Sequence, residues 1–121
     1  MHRIAIVVAL LATSVALADT KHPQADDRIQ LPDLVQELAL HTGKVINIPG
    51  PLETKPSDVH ACGHDKKQWV ALEIVDRGTS LVAYCPIGKV AGCKMLAKPA
   101  SVMHALVKVT TCKQGVELLG F

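Results

Sequence analysis

The sequence predicts a small, mainly β domain of five strands, with one or two short helices and two disulfide bonds. Residues 68–86 consist of two apolar runs on either side of a glycine-bearing turn, and residues 105–121 have a similar arrangement. Residues 31–41 have the apolar spacing of an amphipathic helix. Four cysteines lie in a chain that begins like an exported protein, and an even number of cysteines in that setting indicates disulfides.

Residues 1–18 are typical of a secretory signal peptide. Arg3 precedes an unbroken apolar run, and Ala16-Leu17-Ala18 is a cleavage motif that would leave Asp19 first in the mature chain. The apolar run is shorter than the roughly 20 residues that span a bilayer, so no membrane span is expected after cleavage. The sequence therefore predicts a secreted or periplasmic protein.

The mature chain is predicted to hold one domain over 31–121, preceded by a flexible N-terminal arm over 19–30. The arm is polar and contains a proline. Helix 31–41 follows, because four apolar residues fall on one helical face, and a strand starting near Leu38 is the alternative. The four residues are Leu31, Leu34, Val35 and Leu38.

Residues 44–49 are rich in β-branched side chains and predict the first strand. Residues 50–67 contain Gly50, Pro51 and Pro56 and have no apolar period, so they predict a long loop. A connection of this length in a small domain is often functional or stapled.

Residues 68–86 predict a β-hairpin with two possible turns. Either Asp76-Arg77-Gly78 form a three-residue turn with a bulge, or Arg77-Gly78 form a two-residue turn. The two-residue turn places Val70, Leu72 and Ile74 opposite Cys85, Ala83 and Leu81. Residues 99–104 predict a short helix, and residues 105–121 a second hairpin that turns at Lys113-Gln114-Gly115.

This order of elements resembles the OB-fold, a five-stranded Greek-key barrel with a helix between its third and fourth strands. The final stretch, VKVTTCKQGVELLGF, is similar to the closing hairpin of small exported OB-like proteins. The resemblance covers about residues 43–121. It implies that residues 50–67 connect the first two strands, and loops at this position commonly help to form the ligand site in OB-folds.

The stretch VHACGHD, residues 59–65, places Cys62 between His60 and His64. In an OB-like barrel the four cysteines would gather at one end, with these two histidines beside them. Three pairings are possible. We expect Cys62 or Cys112 to join the loop that carries Cys85 and Cys93, because such a bond would fasten the long loop to the barrel.

Two other chemistries compete with the disulfides for this cluster. A copper or zinc ion would be the cofactor of a metal site, although the cysteines lack the close pairs that are typical of zinc sites. A catalytic thiol would need a histidine base, and an even cysteine count in an oxidising compartment argues against it, and so against an enzyme. The candidate metal ligands are His60, His64, Met95, Met103 and His104.

The formal net charge of +2 and the scarcity of aromatic residues argue against nucleic-acid binding. The sequence instead predicts a binding module for a protein or small-molecule ligand in the exported compartment, with its site in the stapled loop 50–67. Lys66, Lys67 and Trp69 are the predicted partner-binding residues. The alternatives are an inhibitor or immunity-type protein that uses the same loop, and a protein that handles transition metals.

Overall fold

The computed structural model describes residues 24–89, 93 and 99–121; the predicted signal peptide lies outside them. In this part of the chain no helix is long and apolar enough to cross a membrane. The elements, in order, are β1 (Asp27–Arg28), α1 (Leu31–Gln36), a 3₁₀ helix (Leu38–His41), β2 (Val45–Pro56), β3 (Trp69–Asp76), β4 (Thr79–Pro86), β5 (Ala100–Lys108) and β6 (Val116–Gly120).

Five of the strands form a closed barrel in the order β2-β3-β4-β6-β5, and β5 pairs again with β2. The β4–β6 pairing is parallel, whereas the four other pairings of the barrel are antiparallel. The prediction of a mainly β, OB-like five-stranded barrel with two disulfides is confirmed. Two of the loops that connect the barrel strands are residues 57–68, between β2 and β3, and residues 109–115, between β5 and β6.

The β3–β4 hairpin turns through two residues. Asp76 pairs with Thr79, and Arg77 and Gly78 have φ angles of 53° and 78°. Two successive positive φ angles are those of a type I′ turn, whose twist matches that of the strands. Of the two turns that the sequence allowed, the two-residue one is therefore present, with Val70 opposite Cys85.

The barrel interior is filled by every second residue of its strands, because successive side chains of a strand point to opposite faces. Leu31 and Leu34 of α1 join this core and are fully buried. The predicted helix over 31–41 is present as α1 and then tightens into the 3₁₀ helix. The largest fully buried strand residues of the core are Ile46, Ile48, Leu52, Leu72, Ile74, Val107, Val116 and Leu118.

The last residues of the predicted N-terminal arm pair with β2. Strand β1 runs parallel to β2, with Asp27 beside Ile46. The carboxylate of Asp26 accepts a hydrogen bond of 2.8 Å from the backbone N–H of Val45. The C-terminal end of the arm is therefore held against the barrel.

The prediction of a loop over 50–67 is wrong in its first part, because β2 continues to Pro56. Two of the three prolines of this strand stand at positions where a proline is tolerated. Pro51 lies at an irregularity in the β2–β5 pairing, between Pro49 and Leu52, and Pro56 is the last residue of the strand. The loop is therefore shorter and covers residues 57–68.

The predicted helix over 99–104 is also wrong, because Ala100 to His104 belong to β5. Here two residues of β2, Gly50 and Pro51, lie opposite the single residue Met103. At this bulge both Met103 and His104 are exposed, so the alternation that identifies a strand is interrupted. Local sequence periodicity does not report such a bulge, because the bulge depends on the partner strand.

We expect Leu34→Ala to lower the free energy of unfolding by about 2–5 kcal/mol, because it removes a fully buried side chain between α1 and the barrel. The matched control is Val35→Ala on the same helix, where the side chain is 36% exposed and the loss should be well below 1 kcal/mol. Urea unfolding with the disulfides intact measures both. Equal losses would contradict the packing of α1 on the barrel.

Candidate functional site

The loop over 57–68 lies against the outer surface of the barrel and covers a second apolar cluster. This outer cluster consists of the buried residues Ala71, Tyr84 and Cys112, with Trp69 and Val82 packed at its edge. The side chains of Ala71 and Tyr84 are on the opposite face of the sheet from the barrel core. The structure therefore has apolar packing on both sides of β3 and β4.

His64 is the residue of the loop that closes this outer cluster. Its ring stacks on Tyr84, with 4.0 Å between ring centroids and an interplanar angle of 3°. It also meets Trp69 edge to face at 4.5 Å. Only 8% of His64 is exposed, so the imidazole serves here as a buried aromatic surface.

Hydrogen bonds fix the orientation of both loop histidines. Nδ1 of His64 donates to the carbonyl oxygen of Ala61 at 2.8 Å, and Nδ1 of His60 donates to the carbonyl oxygen of His64 at 3.0 Å. A carbonyl oxygen can only accept, so the proton of each neutral ring lies on Nδ1. Each Nε2 is therefore the acceptor nitrogen of its ring.

The hydroxyl of Tyr84 connects the two loops. It accepts a hydrogen bond from the backbone N–H of Ala61 at 3.1 Å and donates one to the carbonyl oxygen of Gln114 at 3.3 Å. Ala61 belongs to the 57–68 loop and Gln114 to the 109–115 loop. A buried tyrosine normally finds such partners for its hydroxyl, and here they hold two separate segments on one strand.

The Cys62–Cys112 disulfide connects the same two loops covalently, with 5.8 Å between the Cα atoms. The chain turns sharply beside it, because Cys62 and Gly63 have φ angles of 56° and 77°. At the other end of the connection, a Cβ atom on Gly115 would lie 2.6 Å from the carbonyl oxygen of Val82. A residue without a side chain is therefore needed where the second loop approaches β4.

The expected pairing of Cys62 or Cys112 with the loop of Cys85 and Cys93 is wrong. Cys85 faces the barrel interior and pairs with Cys93, which is also buried in the main core. Cys62 and Cys112 are on the outer side of the sheet. The long loop is nevertheless fastened to the barrel as expected, because the Cys62–Cys112 bond joins the 57–68 loop to the 109–115 loop.

The described residues among the five predicted metal ligands lie on two different elements of the chain. His60 and His64 are neighbours in the loop, whereas Met103 and His104 lie on β5, where His104 pairs with Pro49. Met95 lies outside the described residues. In the described part of the chain, no group of three or more His, Cys, Asp or Glu side chains is arranged to hold a metal ion.

All four cysteines are in disulfides, so none supplies a thiol nucleophile. Beside the exposed end of the Cys62–Cys112 bond is a shallow polar depression. It is lined by Cys62, His64, Thr110, Thr111, Cys112 and Glu117.

The predicted partner-binding residues Lys67 and Trp69 line a second open depression, at the end of the β3–β4 hairpin away from its turn. Lys66 lies next to them in the chain and is exposed. The sequence pattern did not indicate that Tyr84 and Gln114 connect the two loops. A single tyrosine within a strand of aliphatic residues was the available signal, because its hydroxyl needs a partner wherever the ring is buried.

Searches against protein-family models, curated proteins and solved structures gave no match to this chain. The class of protein therefore rests on the strand order and on the site itself. That class is an OB-like barrel with two disulfides, one inside the barrel and one joining two loops on its outer surface. Two disulfides in a domain of this size indicate an oxidising environment.

We expect Tyr84→Phe to release the 57–68 loop locally. The substitution keeps the ring under His64 but removes the acceptor of the Ala61 N–H, at a cost of about 1–2 kcal/mol. Amide hydrogen exchange should therefore accelerate at Ala61. The Val109 amide, bonded to the carbonyl oxygen of Lys44 at 3.0 Å, should be unchanged and is the internal control. Equal acceleration at both amides would show that the hydroxyl has no special role in the loop.

We expect the two disulfides of the native protein to differ in their reaction with a small thiol reductant. Cys62 is exposed, whereas Cys85 and Cys93 are buried in the main core, and thiol–disulfide exchange requires access to sulfur. Limited reduction, alkylation and mass spectrometry should therefore label Cys62 and Cys112 first. Simultaneous labelling of all four cysteines would contradict this assignment of inner and outer disulfides.

Proposed function

We propose that this chain is an exported binding protein whose ligand site is formed by the two loops that the Cys62–Cys112 disulfide joins. We call these two loops, residues 57–68 and 109–115, the stapled rim. The ligand is a protein or a small molecule of the exported compartment. The observation that carries the proposal is the covalent and hydrogen-bonded connection between the two loops.

The positions of these loops in the barrel support the proposal. They connect the first and second, and the fourth and fifth, barrel strands. OB-folds use the corresponding two loops, with the face of the second and third strands, to bind oligonucleotides and oligosaccharides. In this chain the loop over 57–68 covers part of that face, so the rim itself becomes the accessible surface.

Preorganisation of the rim is the physical advantage that the disulfide provides. A binding loop that is ordered before it meets its ligand loses less conformational entropy on association. Several exposed residues of the rim remain available for contacts, including Val59, which is 42% exposed, and Asp58.

Export is supported by two independent features. Residues 1–18 have the pattern of a secretory signal peptide, and all cysteines of the domain are oxidised. Disulfides of this kind form and persist in secreted or periplasmic proteins.

The test compares two matched substitutions of exposed apolar residues. The mature protein, Val59→Lys on the rim and Met103→Lys on β5 are each immobilised and exposed to the contents of the native compartment. Bound proteins and small molecules are identified by mass spectrometry. We expect a ligand that binds the native protein and Met103→Lys but binds Val59→Lys about tenfold more weakly, since a lysine in a desolvated contact is unfavourable.

Both variants change a side chain that is at least 42% exposed, so both should fold normally. Thermal unfolding and circular dichroism check this before the binding comparison. A ligand that is lost by Met103→Lys and retained by Val59→Lys would place the site elsewhere. Failure of the native protein to bind any component of its compartment would contradict a binding function.

A further inference from the structure

Beside the stapled rim is an open depression with an apolar floor and a basic edge. It forms where the β3–β4 hairpin opens, because Trp69 pairs with Pro86 and the N–H of Ile87 donates to the carbonyl oxygen of Gln68 at 3.0 Å. The residues that line it are Lys67, Gln68, Trp69, Pro86, Ile87 and Lys89.

The floor of the depression is the half-buried side chain of Trp69, which is in contact with His64 of the 57–68 loop. The ring of His64 packs edge to face against Trp69 at 4.5 Å, and the backbone N–H of Trp69 donates to the carbonyl oxygen of Asp65 at 2.9 Å. Because the His64 ring is itself fixed by Tyr84 and Ala61, the indole has a defined position before any ligand arrives. A preorganised aromatic surface of this kind is a favourable anchor for an apolar side chain.

The edge carries positive charge that the described residues do not neutralise by ion pairs. Lys66, Lys67 and Lys89 are exposed, and none of them belongs to an ion pair within the described ranges. Asp65 immediately precedes Lys66 in the chain. One of its oxygens accepts a hydrogen bond of 2.9 Å from the backbone N–H of Gln68, so this group stabilises the turn that enters β3.

We propose that this depression anchors a short acidic peptide segment of a protein partner. An apolar side chain of the segment would lie on Trp69, Pro86 and Ile87, and carboxylates on either side of it would meet the lysines. The proposal rests on the function proposed above and specifies its ligand. It follows from charge complementarity, which gives specificity to contacts at the edge of an interface.

A peptide is favoured over a nucleic acid or an acidic polysaccharide by two properties of the surface. Extended polyanions are bound along basic grooves, and successive bases stack on several aromatic rings. Here the depression offers one indole, and the whole chain has a formal net charge of only +2. A few lysines around one apolar anchor match a short segment better than a long polyanion.

The test uses the fact that Trp69 is the only tryptophan of the sequence, so tryptophan emission reports on the surroundings of this one side chain. The probe is the acetylated and amidated peptide Asp-Glu-Leu-Asp-Glu, and Lys-Lys-Leu-Lys-Lys is the charge-reversed control. We expect a saturable change of Trp69 emission with the acidic peptide, at a dissociation constant below about 1 mM. The affinity should fall as salt is added, because exposed charges are screened.

Lys67→Gln combined with Lys89→Gln should weaken the acidic peptide about threefold to tenfold, as expected for two exposed ion pairs. Lys108→Gln on β5 is the matched control and should not change the affinity. No saturable response to the acidic peptide, or an equal response to the basic one, would overturn the proposal. A response to dextran sulfate but not to the peptide would also overturn it in favour of an acidic polysaccharide.

These outcomes are separate from those of the capture experiment. If a rim-dependent ligand is captured but the acidic peptide does not bind, the binding function stands and the assignment of its ligand is wrong. If no ligand is captured and the peptide does not bind, both proposals are wrong.

Discussion

The alternation of side chains along β4 is the constraint on which the rest of the structure depends. Tyr84 and Cys85 are consecutive residues, so they must point to opposite faces of the strand. Cys85 lies in the barrel interior and is bonded to Cys93, whereas Tyr84 is the centre of the outer cluster. One strand therefore supports two separate regions of packing, and each contains its own disulfide.

The outer cluster is too small to order a long loop by apolar burial alone. Fixing the backbone of each residue costs about 1–2 kcal/mol, and the cluster contains only a few side chains. The Cys62–Cys112 bond joins residues that are 50 positions apart and so reduces the conformational entropy of the unfolded chain. In a chain-entropy model this loss raises the free energy of the unfolded state by about 4 kcal/mol. The His64 stack and the two hydrogen bonds of Tyr84 then select one arrangement of the connected loops. The disulfide, the ring stack and the hydrogen bonds together order the surface formed by the two loops.

The sequence predicted correctly those elements that depend on residues close together in the chain, and it missed those that depend on distant residues. The helix at 31–36 and the β3–β4 hairpin were predicted because periodic burial and turn chemistry act within a few residues. The extension of β2 past Gly50 and the strand at 100–104 were missed. Both depend on a bulge in the β2–β5 pairing, where Met103 meets residues that lie about 50 positions away in the chain. The exposed Lys67 and the half-buried Trp69 were candidates from the sequence, whereas Tyr84 was not, because its role requires partners from two distant loops.

The sequence by itself determined the period of the strands, the order of the barrel elements and the expectation that four cysteines in an export-type chain form two disulfides. These properties depend on local side-chain pattern and on the chemistry of sulfur in an oxidising environment. The tertiary structure alone decided which cysteines pair and which loops they join. The reason is that the choice depends on the face of the sheet from which each sulfur projects, and that face is known only when strand register and bulges are in place.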